Sequence, residues 1–244
     1  MNATAERRIN MKRIFIISIL FFFAFLVLFY LNDLPEIVMG TIANRFVEKS
    51  VEETGSLNVV TAILYDYRAF DSLGESTVLF AAVSGIVLVL SRKMLPVSSH
   101  GLSILVKRNF GMLTPFIALF SLYIITHGHL SPGGGFQGGV ILGVISIIFS
   151  IVYGSAFDYE RYSPQLKTTL ETGGALLFIF IGIMGIVFEG VFLDNVNFLN
   201  DGTGTLISSG SILVINLGVG LKIGAGLAII FYSMIQKTFG EGLE

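Results

Sequence analysis

The sequence predicts an all-α integral membrane protein, on three observations. Charged residues are 13% of the 244, against about 25% in an average soluble chain. Hydrophobic residues are 53% and the mean hydropathy is +0.81. The apolar residues fall in continuous runs of the length that crosses a bilayer as helix, not in the alternation of a β-barrel strand. The same composition excludes other classes. Disordered chains are rich in charge and poor in apolar residues. With no cysteine there is no disulfide framework, thiolate metal site or cysteine nucleophile. A net charge of −2 gives no electrostatic footprint for nucleic acid.

Six spans are predicted in order: Ile14–Leu31, Thr77–Leu90, Leu113–Thr126, Gln137–Tyr153, Leu170–Phe188 and Leu206–Tyr232. The apolar run of the last is broken by the polar residues Asn216 and Lys222. The first follows Lys12 and Arg13 as a signal peptide would, but its apolar core exceeds the usual 7–15 residues and no small-residue cleavage site follows, so it reads as a retained helix. With the N-terminus cytoplasmic, the inside segments carry Arg7, Arg8, Lys12, Arg13, Arg92, Lys93, Lys107, Arg108, Arg161, Lys167 and Lys237. The outside segments carry only Arg45, Lys49 and Arg68. This bias fits the positive-inside rule, and an even number of spans places both termini in the cytoplasm.

The chain divides at Ser91–Arg108, where Pro96, Ser98, Ser99 and Gly101 read as a linker. Residues 1–95 form a two-helix module around a polar excursion, residues 32–73, and residues 96–244 form a four-helix module. Within the excursion Leu34, Ile37, Val38, Ile42, Phe46 and Val47 keep a helical period, which predicts an amphipathic surface helix. Asn58 is placed as the N-cap of a second helix, with Val59, Ile63 and Tyr67 on one face.

Three groups of residues carry candidate chemistry. Asp66, Asp71 and Glu75 bring three carboxylates to a membrane entry, where they can gather cations or relay protons; the alternative is an ion-pair network around Arg68. His127 and His129 precede Pro132-Gly133-Gly134-Gly135-Phe136-Gln137. A closed zinc site needs about four ligands, and no third one is near. A Walker loop needs Gly-Lys-Ser/Thr after its glycines, and here Phe136-Gln137 follows. The segment reads as a tight re-entrant turn between spans three and four, a form tolerated at membrane depth inside protein or beside a wet cavity. Lys222 lies eleven residues before Ser233, about 16 Å along a helix. A charge that deep costs at least ~2.5–3.5 kcal/mol and demands an acid partner or water. Glu171 is the in-chain acid near the start of a span on that side; its reach is left open against an acid from another subunit. The paired glycines Gly182–Gly185, Gly218–Gly220 and Gly224–Gly226 read as helix-packing contacts. No Ser-His-Asp set or His-Glu-x-x-His pattern supports an intramembrane hydrolase.

The run His127-Gly-His129 followed by Pro132-Gly-Gly-Gly-Phe-Gln-Gly-Gly139 resembles the signature of the B subunit of Mrp-type (Mnh-type) multisubunit Na+/H+ antiporters, and of its equivalent in membrane-bound hydrogenase-type complexes. The resemblance spans roughly residues 100–240. The stretch Asn58 to Glu75 is similar to the C-terminal end of the large Mrp A subunit, so the chain looks like a fusion of the two. Leu130-Ser131 and Gln137 resemble the hydrogenase-type group more closely. The resemblance implies a non-enzymatic, non-redox subunit of the cell membrane, without a cofactor of its own, in a complex that moves Na+ and H+. It implies small membrane subunits and large antiporter-like subunits as partners, besides the lipid bilayer. It assigns importance for activity to Pro132 and Phe136, and it matches Asp66, Asp71 and Glu75 to acids of the A-like segment. A stand-alone antiporter subunit and a purely structural scaffold are the other readings it allows.

Overall fold

The structure is a computed structural model that describes residues 17–19, 21, 22, 25, 29, 40–90, 101–196 and 203–241, the last without side chains beyond 235. The chain divides into two compact units, residues 1–45 and 46–244. In the first, the described residues from 17 to 29 are helical. Most of the predicted first span, and the first half of the predicted amphipathic helix, lie outside the described residues, as does the linker from 91 to 100.

The regular secondary structure of the described residues is helical, joined by turns. The elements are α1 (Thr41–Thr54), α2 (Val59–Ala62), a π turn (Ile63–Tyr67), α3 (Ala69–Leu90), α4 (Ile104–Thr126), α5 (Gly135–Val152), α6 (Ser155–Arg161), α7 (Pro164–Glu189) and α8 (Ser211–Glu241). Five are long and apolar enough to cross a membrane: α3, α4, α5, α7 and α8 through Ile235. Each is longer or later than the apolar run that predicts it, because polar ends also take helical turns. α1 runs on to Thr54, where Gly55 takes a left-handed φ of +68° and stops it. Asn58 caps α2 as expected, its side chain accepting from the Val60 amide.

α8 is continuous through Asn216 and Lys222, the two polar residues of the predicted last run. Its start is later than Leu206. The stretch before it is turn because its polar groups have partners elsewhere. The Ser208 and Ser209 hydroxyls donate to the Gly55 carbonyl at 3.1 and 3.2 Å. Ser211 donates through its amide and its hydroxyl to Asn195 Oδ1, at 3.1 and 2.8 Å. A distant asparagine thus caps α8, satisfying donors that the first turn leaves free.

α8 is the axis of residues 46–244. α5, α7 and α3 pack against it, and α4 packs against α5. Glycine sets the distance. A Cβ on Gly174 of α7 would come within 2.3 Å of the Gly218 carbonyl, and one on Gly139 of α5 within 2.7 Å of the Gly220 carbonyl. Backbone meets backbone at both crossings, as small residues permit between membrane helices. The apolar core around this axis gathers Phe178, Ile212, Ile215 and Val219, each fully buried, with Tyr65 of the π turn.

Gly174→Val should therefore destabilise the protein, by about 1–3 kcal/mol as overpacking does, and lower the yield of folded protein. Gly173→Ala is the matched control, since nothing lies within 4 Å of its added Cβ and alanine favours helix by about 1 kcal/mol. Thermal unfolding in detergent reads both; equal losses would contradict the packing account.

Candidate functional site

Lys222 lies in the middle of α8, the residue type that an apolar span tolerates least. It is 1% exposed. Its Nζ stands 3.8 Å from Oε1 of Glu171, which is 5% exposed in α7. The reach left open by the sequence is thus closed within the chain. Gly174, one turn after Glu171, makes this possible. Its missing side chain lets the Lys222 backbone approach, and a Cβ there would lie 2.9 Å from Lys222 Cβ. Phe80 of α3 covers the ammonium from another side, 5.4 Å from its ring centre. The pair is close enough to attract and too far apart for a hydrogen bond. Neither Glu171 Oε1 nor Lys222 Nζ has a hydrogen-bond partner among the described residues. At this spacing a water would be needed to complete the pair's hydrogen bonding.

A second buried pair lies one helical turn away. Lys167 of α7 donates to Asp158 Oδ2 at 2.5 Å, and Ser146 of α5 donates to Asp158 Oδ1 at 2.7 Å. Asp158 is fully buried and Lys167 nearly so, with the ammonium 5.0 Å from the Tyr232 ring centre. Lys167 and Glu171 are i and i+4 on α7 and therefore share a face. Asp158, Lys167, Glu171 and Lys222 so form an alternating series of four charges, from the middle of α6 to the middle of α8. Sequence reading took Lys167 for an ordinary loop cation and did not single out Asp158. No local signal marks either, because their pairing comes from the packing of α6 against α7.

The glycine-rich turn sits against the first half of α8. Gly133 and Gly134 take φ of +157° and +148°, which side chains rarely adopt. The Gly135 amide donates to Asn216 Oδ1 at 2.8 Å, so Asn216 ties the turn to α8 six residues before Lys222. Phe136 packs on the apolar core, and Pro132 and Gln137 are exposed. His127 ends α4 stacked on Tyr123 at 4.2 Å. His129 is fully buried; its Nε2 lies 3.3 Å from the Thr205 carbonyl, which assigns the proton to Nε2. Burial holds its pKa below the ordinary histidine value. Its carbonyl receives the Asn58 amide and the Ser56 hydroxyl, each at 3.0 Å. The two histidines thus belong to a hydrogen-bonded junction between the turn and the segment before α2.

The A-like acids divide. Asp71 pairs with exposed Arg68 at 2.5 Å, the ion-pair arrangement weighed from the sequence, and Glu75 is exposed on the second turn of α3. Asp66 is different. It sits on the π turn, closed by the Arg68 amide donating to the Ile63 carbonyl at 2.8 Å. Burial, then the charge of Asp194, raises its pKa to about 6, against the opposing backbone hydrogen bond of Asn195. Among the described residues no three His, Asp or Glu side chains gather as metal ligands.

Asp66 binds its proton more tightly when folded than when unfolded, so its contribution to stability is full below pH 3.8 and is lost as pH rises through about 6. Asp66→Asn should therefore raise the unfolding temperature above pH 7 and change it much less at pH 4. Parallel thermal melts at the two pH values check this; an equal shift at both would contradict the assignment.

Comparison with known proteins agrees with this architecture. Residues 105–229 match the family described as a domain related to the MnhB subunit of Na+/H+ antiporter, and residues 10–106 match the MbhE family of MBH subunits. An uncharacterized protein of Methanocaldococcus jannaschii is 31% identical over 198 residues, covering 70% of this chain and 74% of its own. A chain in the structure of the membrane-bound sulfane sulfur reductase (MBS), an archaeal respiratory membrane complex, superposes with a TM-score of 0.78 at 29% identity. It covers 92% of this chain and 98% of its own. A chain of the Mrp complex from Dietzia sp. gives 0.57 at 29% identity, over 81% of this chain and 22% of that one. This chain is a multi-pass membrane protein and belongs to the family of domains related to the MnhB subunit of Na+/H+ antiporters.

Proposed function

We propose that the chain is a non-redox, non-catalytic subunit of a multisubunit Na+/H+ antiporter module, within a hydrogenase-type respiratory complex of the cell membrane. Its Glu171–Lys222 pair serves proton or cation movement through the bilayer. The single observation that carries the reading is that pair: two opposite charges buried inside membrane spans, 3.8 Å apart, with neither contacting atom in a hydrogen bond among the described residues. A pair built for rigidity alone is better made at hydrogen-bond distance, as Asp158 and Lys167 are. A gap leaves room for a proton to be exchanged or for a cation to be met by the carboxylate.

In this reading the chain has six spans with both termini cytoplasmic. The series Asp158, Lys167, Glu171, Lys222 then enters from the cytoplasmic side, while Asp66, Asp71, Glu75 and the His127–His129 junction lie toward the outer face. Residues 1–95 serve as an A-subunit-like half and residues 96–244 as a B-like half, consistent with family matches that meet at residues 105–106. Na+ and H+ are cargo, and the chain holds no cofactor. Small membrane subunits and large antiporter-like subunits complete the path, because four charges do not cross about 30 Å of hydrocarbon unaided. The kinship with chains of membrane complexes supports such partners in general.

The test is paired. In membranes carrying the assembled complex, Lys222→Ala should lower Na+-dependent proton movement by at least about tenfold, roughly the 1.4 kcal/mol of one decade, and reduce the amount of complex much less. Breaking a structural pair would instead leave a buried acid, at about 3–5 kcal/mol, and reduce assembly first. The double variant Glu171→Gln with Lys222→Ala removes that buried charge, so it should restore assembly and not transport. Recovery of both would mean that the pair is a scaffold.

A further inference from the structure

We infer that the chain carries a binding site for an anionic membrane phospholipid, in a crevice apart from the Glu171–Lys222 pair. α4 packs on α5, α5 on α8 and α8 on α7. The row bends, so that its ends, α4 and α7, border a cavity of about 630 Å³. This lies within the range of pockets that enclose small-molecule ligands, about 300–1,000 Å³. The floor is made of small residues, with Gly224, Ala225 and Ala228 of α8 beside Leu142 of α5. The α4 wall extends from Gly111 to Ala118. The lining along α5 extends from Leu142 to Tyr153, about 16 Å of helix, half of the ~30 Å hydrocarbon thickness. The crevice thus has the depth of one leaflet and an apolar lining suited to an acyl chain.

Its mouth is basic. Arg161, the last residue of α6, lines it. Lys107 and Arg108 stand on the same face of α4, one turn before lining residues, and Tyr153 of the lining donates to the Lys107 carbonyl at 2.6 Å. None of these three cations is in an ion pair among the described residues. Lys167 also lines the cavity, but Asp158 neutralises it, and Glu160 is the exposed acid beside Arg161. The mouth remains net positive. Basic pockets between membrane helices recognise anionic headgroups, so a phosphate between Arg161 and the α4 cations, with one chain below it, matches both charge and depth.

The experiment uses the full chain, purified in mild detergent and titrated with phosphatidylglycerol or with phosphatidylcholine of the same acyl chains, bound lipid being counted by native mass spectrometry. Phosphatidylglycerol should bind about tenfold more tightly, as several cations at the membrane surface provide. Lys107→Gln, Arg108→Gln and Arg161→Gln together should abolish the preference. Ala118→Phe, placed in the crevice and away from the cations, should lower the binding of both lipids. Equal binding of the two lipids, or a preference untouched by the triple variant, would overturn the site. In the assembled complex, a photoreactive residue at Leu166 should capture lipid. Capture of another protein chain would assign the crevice to a protein contact and overturn it as well.

Discussion

A lysine at the midpoint of an apolar helix demands an acid partner or water, and here protein surrounds it and an acid answers it. Much of the architecture between residues 46 and 244 follows from that constraint. α8 must be the central helix, because it carries Lys222. Glu171 must face it from α7, and α7 must come close enough for a carboxylate to approach. Glycine at Gly174 and Gly218 grants that approach, with backbones meeting where side chains would otherwise intervene. Gly139 and Gly220 do the same for α5. Close packing and buried charge are therefore one feature, since the glycines that shorten the helix crossings also exclude lipid from the pair.

The two buried pairs contrast within one chain. Asp158 and Lys167 meet at 2.5 Å with Ser146 as a second donor, a satisfied arrangement that fixes α6 against α7. Glu171 and Lys222 meet at 3.8 Å, with neither contacting atom in a hydrogen bond among the described residues. The first spends its polar capacity on structure. The second leaves polar capacity unused, which is what the proposed role in proton or cation movement draws on. Asn216 mediates between this region and the glycine-rich turn, accepting from the Gly135 amide. The turn is thus anchored on α8 about 9 Å, six residues of helix, before Lys222.

Much of this was legible in the residues. Continuous apolar runs gave the helical membrane class, and five of the spans stand among the described residues. The depth of Lys222, the N-cap at Asn58 and the turn at Pro132–Gly135 follow from spacing and side-chain chemistry. What was not legible depends on contacts between distant segments. The late start of α8 is set by Asn195, sixteen residues before Ser211. The tie between Asn216 and the glycine-rich turn is made by an amide on another helix. The Asp158–Lys167 pair looks, in sequence, like two members of a polar loop. The perturbation of Asp66 arises from Asp194 and from burial, neither of which a linear reading places beside it. Polar residues in membrane helices are easily noticed; their partners are found only once the helices are packed.

The proposed role of the Glu171–Lys222 pair requires Glu171 to change its charge state during ion exchange. Infrared difference spectroscopy on the reconstituted complex, recorded as Na+ is added at fixed pH, reads this through the carboxyl stretch. The account predicts a protonated-carboxyl band that responds to Na+ and is absent in Glu171→Gln. A complex that exchanges ions at full rate with no Glu171-dependent carboxyl signal would contradict it.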